Sequence, residues 1–493
     1  MPAPGITVTS VTSAPPTVGS APTGNWFVTG IASRGVIGSP ILVSSMSQFA
    51  AVCGARNPAS PLFDCADLFF RDGGTQMFVS RVGGTGQAAA TLVLKDTTAT
   101  TALNTLTVNA NSSGVWGNGL SVAVTVPAPG QYQLTVTGPN GVETSPILTQ
   151  PADAVAWSSV SQYVTITNNN AASVNPVNNP AALAATPLAG GVDDTATITE
   201  ATWTTALTAF TRDLGPGQVS APGRTTDAAH QALLTHAALN NRVAYCDGVD
   251  TPTAATLLTE ATNAIANNVD GSYGDLTNWV IIPGLPTGNA LPAAPRVVPG
   301  SAFKAAVTAK SDGATYSNGI ANTNIAPAAA NGISSFAIGV TQTYVDSDRA
   351  ALNAAGFNVI RSIAGKVQLY GFRSLATDPT WTQLSWCRLR MDLQDHANTI
   401  ASGIGEFSEI DAKGQVFGRL AGALGGLLST YWQIGALFGA TASAAYKVNV
   451  GPSVNTPATI AAGQLNAVLS VKRSPFAEQV NITIANVPLL QAL

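Results

Sequence analysis

The sequence predicts a multidomain protein of mixed α+β and α/β type, with an all-β section set into it and an extended arm at each end. Three observations predict this. The 493 residues are 45% hydrophobic, ample for several cores, and at about 150 residues per domain the length suggests about three domains. The hydrophobic period changes along the chain, from mixed helix and strand signals to a long run of period-two segments and back again. Each end carries one alternating strand with prolines beside it.

Residues 1–22 read as the N-terminal arm. Gly5, Ile6, Val8 and Val11 mark a strand in which Ile6 and Val8 alternate with Thr7 and Thr9, and Pro15, Pro16 and Pro22 forbid a helix. Residues 476–493 mirror it: behind Phe476, Val480, Ile482 and Ile484 alternate with Asn481 and Thr483, and Pro488 ends the run. A strand with no local partner must find a sheet edge elsewhere. Addition to another subunit is one solution, and pairing within the chain is the other.

In segment 23–89, Trp26 to Ile31 reads as a strand, Ser47 to Cys53 and Leu62 to Phe70 as short helices, and Gln76 to Val82 as a strand after the Gly73-Gly74 turn. From 90 to 190 Thr/Val alternation, as in Leu120 to Val126 and Tyr132 to Thr137, is broken by Pro-Gly, Gly-Pro and Asn-Gly turns, which predicts an all-β section. From 191 to 345 the signals alternate. Asp227 caps a helix through Leu239, and strands follow at Arg242–Cys246 and Trp279–Ile282, suggesting a largely parallel sheet. Segment 346–475 reads as α+β. It has a strand at Lys366–Phe372, helices at Asp392–Glu406 and Gln415–Trp432 joined by an acidic turn, and strands at Tyr446–Val450 and Leu465–Val471.

Charge narrows the function. Lys+Arg number 22 and Asp+Glu 26, together 10% of the chain, where about 25% is usual. The net charge of −4 and the scattered cations lack the basic stripe that phosphate binding needs, so nucleic acid is not an expected partner. A surface of Ala, Thr, Ser, Asn and Gly suits a subunit packed against its own copies. Cys53, Cys65, Cys246 and Cys387 form no CxxC pair or zinc spacing and read as buried apolar residues in a reducing cytosol. MPAPGITVTS has no basic region ahead of an apolar core, so no secretory signal is expected. Leu420 to Tyr446 carries no charge, yet its glycines and hydroxyl residues, with Gly418, Gly422 and Gly426 on one helical face, favour a close soluble interface over membrane insertion.

Catalytic and cofactor patterns are not found. His230 and His236, six positions apart on one helix, face different directions, and His396 stands alone. Neither a G-x-S-x-G elbow nor a phosphate-binding loop occurs. Asp346 and Asp348 sit at a helix start beside Arg349, where capping explains them. No cofactor or metal is expected.

Motifs in the last part of the chain resemble the C-terminal domain of contractile tail sheath proteins. They are LSTYWQIGALFGAT at Leu428 to Thr441, then Ala445-Tyr446-Lys447-Val448, Asn455-Thr456-Pro457, Ile460, Gly463-Gln464-Leu465 and Pro475-Phe476-Ala477-Glu478. Tyr431 stands before the tryptophan where the family has leucine, and the closing segment is altered. Earlier landmarks keep the family order: Pro4-Gly5-Ile6, Gly38-Ser39-Pro40, FFRDGGTQMFVSRV at Phe69 to Val82, Trp116-Gly117-Asn118, Leu188 to Asp193, and Lys366 to Ala376.

The resemblance implies a non-enzymatic structural subunit that forms stacked hexameric rings around a tail tube. Its partners would be further copies, the tail tube protein, and the baseplate and tail terminator proteins. Such sheaths contract to drive the tube through a cell envelope, in a virion assembled in the bacterial cytoplasm or in a phage-tail-like injection system. On this resemblance 23–89 is an α/β part of the sheath core, 90–190 an outer insertion domain, 191–345 a non-catalytic subtilisin-like-fold domain, and 346–475 the α+β sheath domain. The arms 1–22 and 476–493 would donate strands to neighbours. The helices between Asp392 and Trp432 would face the tube, with Glu406, Glu409, Asp411 and Lys413 as candidate contacts; an ordinary solvated turn is the alternative. A static β-rich shell or adhesin, and a hydrolase needing a serine triad, are the readings of other classes.

Overall fold

The computed structural model describes residues 23–266, 273–285, 294–315, 332–405, 408–411 and 413–475. The chain enters through β1 (Trp26–Gly30), then β2 (Ile41–Val43), α1 (Met46–Cys53), α2 (Leu62–Arg71) and β3 (Met77–Arg81). All five residues of β1 are buried, as befits a strand covered on both faces. Ser45 caps α1 by accepting from the Gln48 amide at 3.2 Å.

Segment 90–190 carries β4 (Thr91–Lys95), β5 (Asn104–Ala110), β6 (Ser121–Thr125), β7 (Gln133–Gly138), β8 (Gly141–Thr144), α3 (Pro151–Ser158), β9 (Val164–Asn168) and β10 (Leu183–Pro187). They form an antiparallel sheet β4-β5-β9 and a second, β10-β6-β7-β8, around a cluster of their own that includes Leu106, Val122, Tyr132 and Val164. The section is not purely β. Gln150 and Asp153 build a capping box and Pro151 takes the first helical position, so an unexpected helix forms between two strands. Arg34 anchors this section to the body: its guanidinium lies 4.6 Å from the Trp116 ring centre and donates to Gln162 O at 3.0 Å.

Next come α4 (Glu200–Leu207), β11 (Gln218–Ser220), α5 (Asp227–Asn240), β12 (Val243–Asp247), α6 (Ala254–Ala266), β13 (Gly274–Thr277), β14 (Val280–Ile282), β15 (Arg296–Val298) and α7 (Gly300–Thr315). One six-stranded sheet, ordered β13-β12-β11-β1-β3-β2, unites strands from the two α/β segments. All its pairings are parallel except β2 with β3. Trp26 and Val28 of β1 face the α2–α7 side with Phe69 and Phe303, and Phe27 faces the α4–α5–α6 side with Phe210, Leu233 and Leu257. The period of two thus sorts a continuous apolar strand between two cores.

Three local expectations are corrected here. Thr226, not Asp227, caps α5, accepting from the Ala229 amide at 3.2 Å. The Trp279–Ile282 strand is β14 and stands outside the parallel sheet; it pairs antiparallel with β15 and with β16 (Gly339–Val340). Arg296 of β15 fixes that small sheet to α2 through Asp64 and Asp67, each at 2.7 Å. The chain closes with α8 (Asp346–Ala354), the hairpin β17 (Val359–Ile363) and β18 (Lys366–Tyr370), then α9 (Leu384–Ile404), α10 (Gln415–Gln433), α11 (Ala442–Ala445), β19 (Tyr446–Asn449), α12 (Pro457–Ala461) and β20 (Val468–Val471). Helix α9 begins at Leu384, well before the expected Asp392. The added turns bury Leu384, Cys387 and Met391 against the body. Cys53, Cys65, Cys246 and Cys387 are free and buried. Among the described residues no helix is long and apolar enough to cross a membrane.

Candidate functional site

Helices α9 and α10 pack through Leu389 and Leu393, four apart on one helix, and through Leu427 and Leu428, four and three residues before Tyr431 on the other. The chain then reverses. Gly435 takes φ +83° after α10, and at Gly439 a Cβ would stand 2.7 Å from the Ala445 amide, so only glycine fits. Trp432 Nε1 locks the turn by donating to Gly439 O at 2.9 Å. The Asn-Thr-Pro motif also has local work. Asn455 donates to Val450 O (2.9 Å) and Asn466 O (2.7 Å), closing the loop between the last two strands; Thr456 caps α12 and Pro457 starts it.

Strands β19 and β20 form a two-stranded antiparallel sheet, with Tyr446 opposite Val471 and Asn449 opposite Val468. Val448, Leu469 and Val471 rest on the helix pair, whereas Lys447 and Ser470 are exposed. Among the described residues the sheet has only these two strands, plus an isolated bridge from Leu437 to Arg473. An antiparallel strand aims half its main-chain groups at each side, so the outer edges of these two strands carry donors and acceptors that no further strand among the described residues takes up.

Beside β20 lies an apolar groove of about 320 Å³, lined by Trp381, Trp386, Leu389, Leu393, Leu469 and Val471, with Arg390 and Arg473 at its wall. Arg473 sits between two indoles, 4.5 Å from the Trp381 ring centre and 4.7 Å from that of Trp386. Arg390 stacks on Tyr273 at 4.9 Å. Burial lowers the Arg473 pKa from its ordinary value, with Asp378 among the groups opposing the shift. The described chain leaves at the rim of this groove: Trp386 Nε1 donates to Ser474 O at 3.0 Å, and the Ser474 amide to Ala436 O at 3.2 Å.

Gly5, Ile6, Val8, Val11, Phe476, Val480, Ile482, Ile484 and Glu406 lie outside the described residues. Glu409, Asp411 and Lys413 lie in the link between α9 and α10. Asp411 accepts from the Gln415 amide at 2.9 Å and so serves the start of α10, while Glu409 and Lys413 are exposed. The groove escaped the sequence reading because its walls come from residues 381–397 and 469–473. A faint signal was the run of Trp381, Trp386 and Arg390 in so weakly charged a chain.

The fold also gathers a serine, an aspartate and a histidine. Ser301, at the start of α7, donates from its amide and Oγ to Asp247, each at 2.7 Å. His230 Nε2 lies 3.0 Å from the Asp247 carbonyl oxygen. A serine triad needs the imidazole between hydroxyl and carboxylate; here the hydroxyl bonds the carboxylate directly and the ring meets only main chain. Burial pushes the Asp247 carboxyl up to about 6 against three donors. Ser301 and His230 are both 0% exposed, so no substrate reaches them. His236 is buried elsewhere, beside Arg242, and no group of three or more potential metal ligands occurs among the described residues.

Six-stranded α/β body, β section with its own core, and a two-stranded sheet on a helix pair together define the class: the chain has the fold of contractile sheath proteins. It is similar to the sheath tail protein of Listeria innocua (TM-score 0.60, 13% identity, 88% of this chain and 90% of that one). It is similar to the sheath tail protein of Desulfitobacterium hafniense (TM-score 0.58, 13% identity, 90% and 93%). A chain of the anti-feeding prophage helical sheath in its contracted state also matches (TM-score 0.56, 16% identity, 98% and 99%). No family model matches the sequence, and no curated protein matches it.

Proposed function

We propose that this chain is the structural subunit of a contractile sheath, polymerising as stacked hexameric rings around a tail tube and shortening to drive that tube through a cell envelope. The observation that carries the reading is the sheet β19–β20, which among the described residues has only these two strands, on a chain of sheath fold with strand-patterned segments at both ends. Segments 1–22 and 476–493 donate strands to that sheet in neighbouring copies, through Gly5, Ile6, Val8 and Val11 at one end and Phe476, Val480, Ile482 and Ile484 at the other. Main-chain hydrogen bonds tolerate any side chain, so such a mesh survives when subunits rotate. The work of contraction is the free-energy difference between two packings of the same subunits.

Segments 23–89, 191–345 and 346–475 then make the sheath core, 90–190 projects outward, and the sealed serine cluster is structural. Helix α10 supplies a smooth face for the tube: at Gly418, Gly422, Gly425 and Gly426 an added Cβ meets no atom within 4 Å. Glu406, Glu409, Asp411 and Lys413, at the end of that helix pair, are the charged contacts. Baseplate and terminator proteins cap the polymer. Phage tail and bacterial injection particle differ in owner, not in subunit chemistry. Negative-stain electron microscopy of the concentrated protein, alone and with its tube, tests the reading. Hollow six-fold tubes are expected, lost when residues 1–22 and 478–493 are removed; monodisperse particles even with the tube present would overturn it.

A further inference from the structure

The chain enters its body already buried. Thr23 and Asn25 are 1% and 2% exposed, and Gly24 runs so close to α7 that a Cβ there would stand 3.1 Å from Ala309 Cα. Thr23 Oγ1 donates to Asp312 Oδ2 of α7 at 2.7 Å, and Thr23 O accepts from Arg388 Nη2 of α9 at 3.3 Å. Arg388 also forks onto Asp312, with Nη1 to Oδ1 at 3.1 Å and Nη2 to Oδ2. One buried ion pair therefore clasps three pieces: α7, α9 and the root of the N-terminal segment. One turn further along α9, on the same face, Asp392 Oδ2 accepts from Tyr431 OH of α10 at 2.6 Å.

A buried ion pair is poor at stabilising a fold compared with apolar side chains of the same volume, but its directed hydrogen bonds specify one geometry. The geometry specified here is the course of residues 23–25. We propose that the Thr23–Asp312–Arg388 clasp is a joint that couples the N-terminal segment to the α9–α10 pair, so that load on residues 1–22 passes along α9 to the surface carrying β19–β20. The strand-donation reading above supplies what pulls on that segment; the joint itself is a property of the single subunit. Asp392 and Tyr431 are its second contact, and Thr23 is its weakest link, because Thr23 contributes a hydroxyl and a carbonyl but no charge.

Amide hydrogen exchange on the soluble full-length subunit tests the joint. Arg388→Met with Asp312→Leu replaces the pair by apolar groups, and Thr23→Val removes only the hydroxyl donor. The expected result is exchange about tenfold faster at Gly24 and Asn25 in the double variant, a smaller rise in Thr23→Val, and faster exchange in α10 around Tyr431, with β12 and β5 unchanged. No change at Gly24 and Asn25 in either variant would overturn the proposal, as would a rise spread equally over β12 and β5, or a rise at the root with α10 unmoved. Tube formation by a subunit lacking residues 1–22 is scored separately. Tubes that persist without that segment remove the strand-donation reading and leave the exchange result to decide the joint.

Discussion

Arg473 stacks on Trp381 with its guanidinium carbon 4.5 Å from the ring centre, and its Nη1 donates to the neighbouring Thr380 carbonyl at 2.5 Å. This pins the end of β20 to the segment that leads into α9. Arg473→Ala removes the stacking on both tryptophans and the hydrogen bond together. The expected cost is about 1–3 kcal/mol, read as a lower melting temperature of the soluble subunit. An unchanged melting temperature would show that the groove wall is held by apolar contact alone.

The glycine face of α10 is expected to separate folding from assembly. Among the described residues, no atom lies within 4 Å of where a Cβ at Gly422 or Gly426 would stand, the helix's own neighbouring backbone aside. Changing each to alanine is expected to stabilise the free subunit by about 0.5–1 kcal/mol, since glycine is a poor helix former. Gly422→Leu is expected to fold equally well and to abolish tube formation. Thermal melting and microscopy of the same preparations check both statements, and a leucine variant that still forms tubes would contradict the second.

Acid sensitivity is expected from His236. Desolvation, helped by the Arg242 charge, lowers its pKa from 6.5 to about 3. In the folded chain the ring stays neutral and Arg242 Nη1 lies 2.9 Å from its Nε2. The unfolded chain takes up a proton below about pH 6.5 and the folded chain does not, so stability contributed by the neutral ring is full above that pH and is lost as pH falls towards 3. The loss is on the order of 5 kcal/mol at the acid end. His236→Gln should flatten this part of the stability curve, measured by denaturant unfolding from pH 7 to 3.

Ser301 gives a direct check on hydrolysis. Its hydroxyl is buried and already committed to Asp247, so a serine-directed fluorophosphonate is expected to leave it unlabelled. Ser301→Ala should destabilise by about 1–3 kcal/mol, because it leaves a buried carboxylate short of a donor. Labelling of Ser301 would contradict the structural role.

Much of this fold was legible because its signals are local. The strand at Trp26, the helices at Leu62 and Asp227 and the Gln415 helix carry their own periods. Asn455, Thr456, Pro457, Gly435 and Gly439 serve turns whose demands can be read within a few residues. These are among the residues that carried the resemblance, and the sheath structures the chain is similar to are only 13–16% identical overall. Long-range pairing was not legible. Nothing near Phe27 announces that β1 lies beside β11, and parallel strands carry no turn between them. Helix α3 hid behind a glutamine cap inside a β section, and the start of α9 hid in a run whose apolar residues face the body. The groove needed Trp381 and Arg473 side by side, which only the fold achieves. The alternation in segments 1–22 and 476–493 is legible in the sequence, and so are the periods of β19 and β20, but nothing in the sequence says which strands lie side by side.

Strand donation between copies is the central claim, and paired single cysteines test it most directly. The native cysteines are buried, and Ser470 on β20 is exposed. A subunit with Ser470→Cys is mixed with subunits carrying one cysteine at each position from Val480 to Ile484, under assembly conditions with mild oxidation. The account predicts a disulfide-linked dimer joining residue 470 of one copy to the C-terminal segment of another, with alternate positions giving strong and weak yields as a strand register requires. The double variants in one chain should give a ladder of linked subunits. If mixing gives no linked dimer and the double variants close only within a single chain, the segment pairs in its own subunit and the meshed sheath is contradicted.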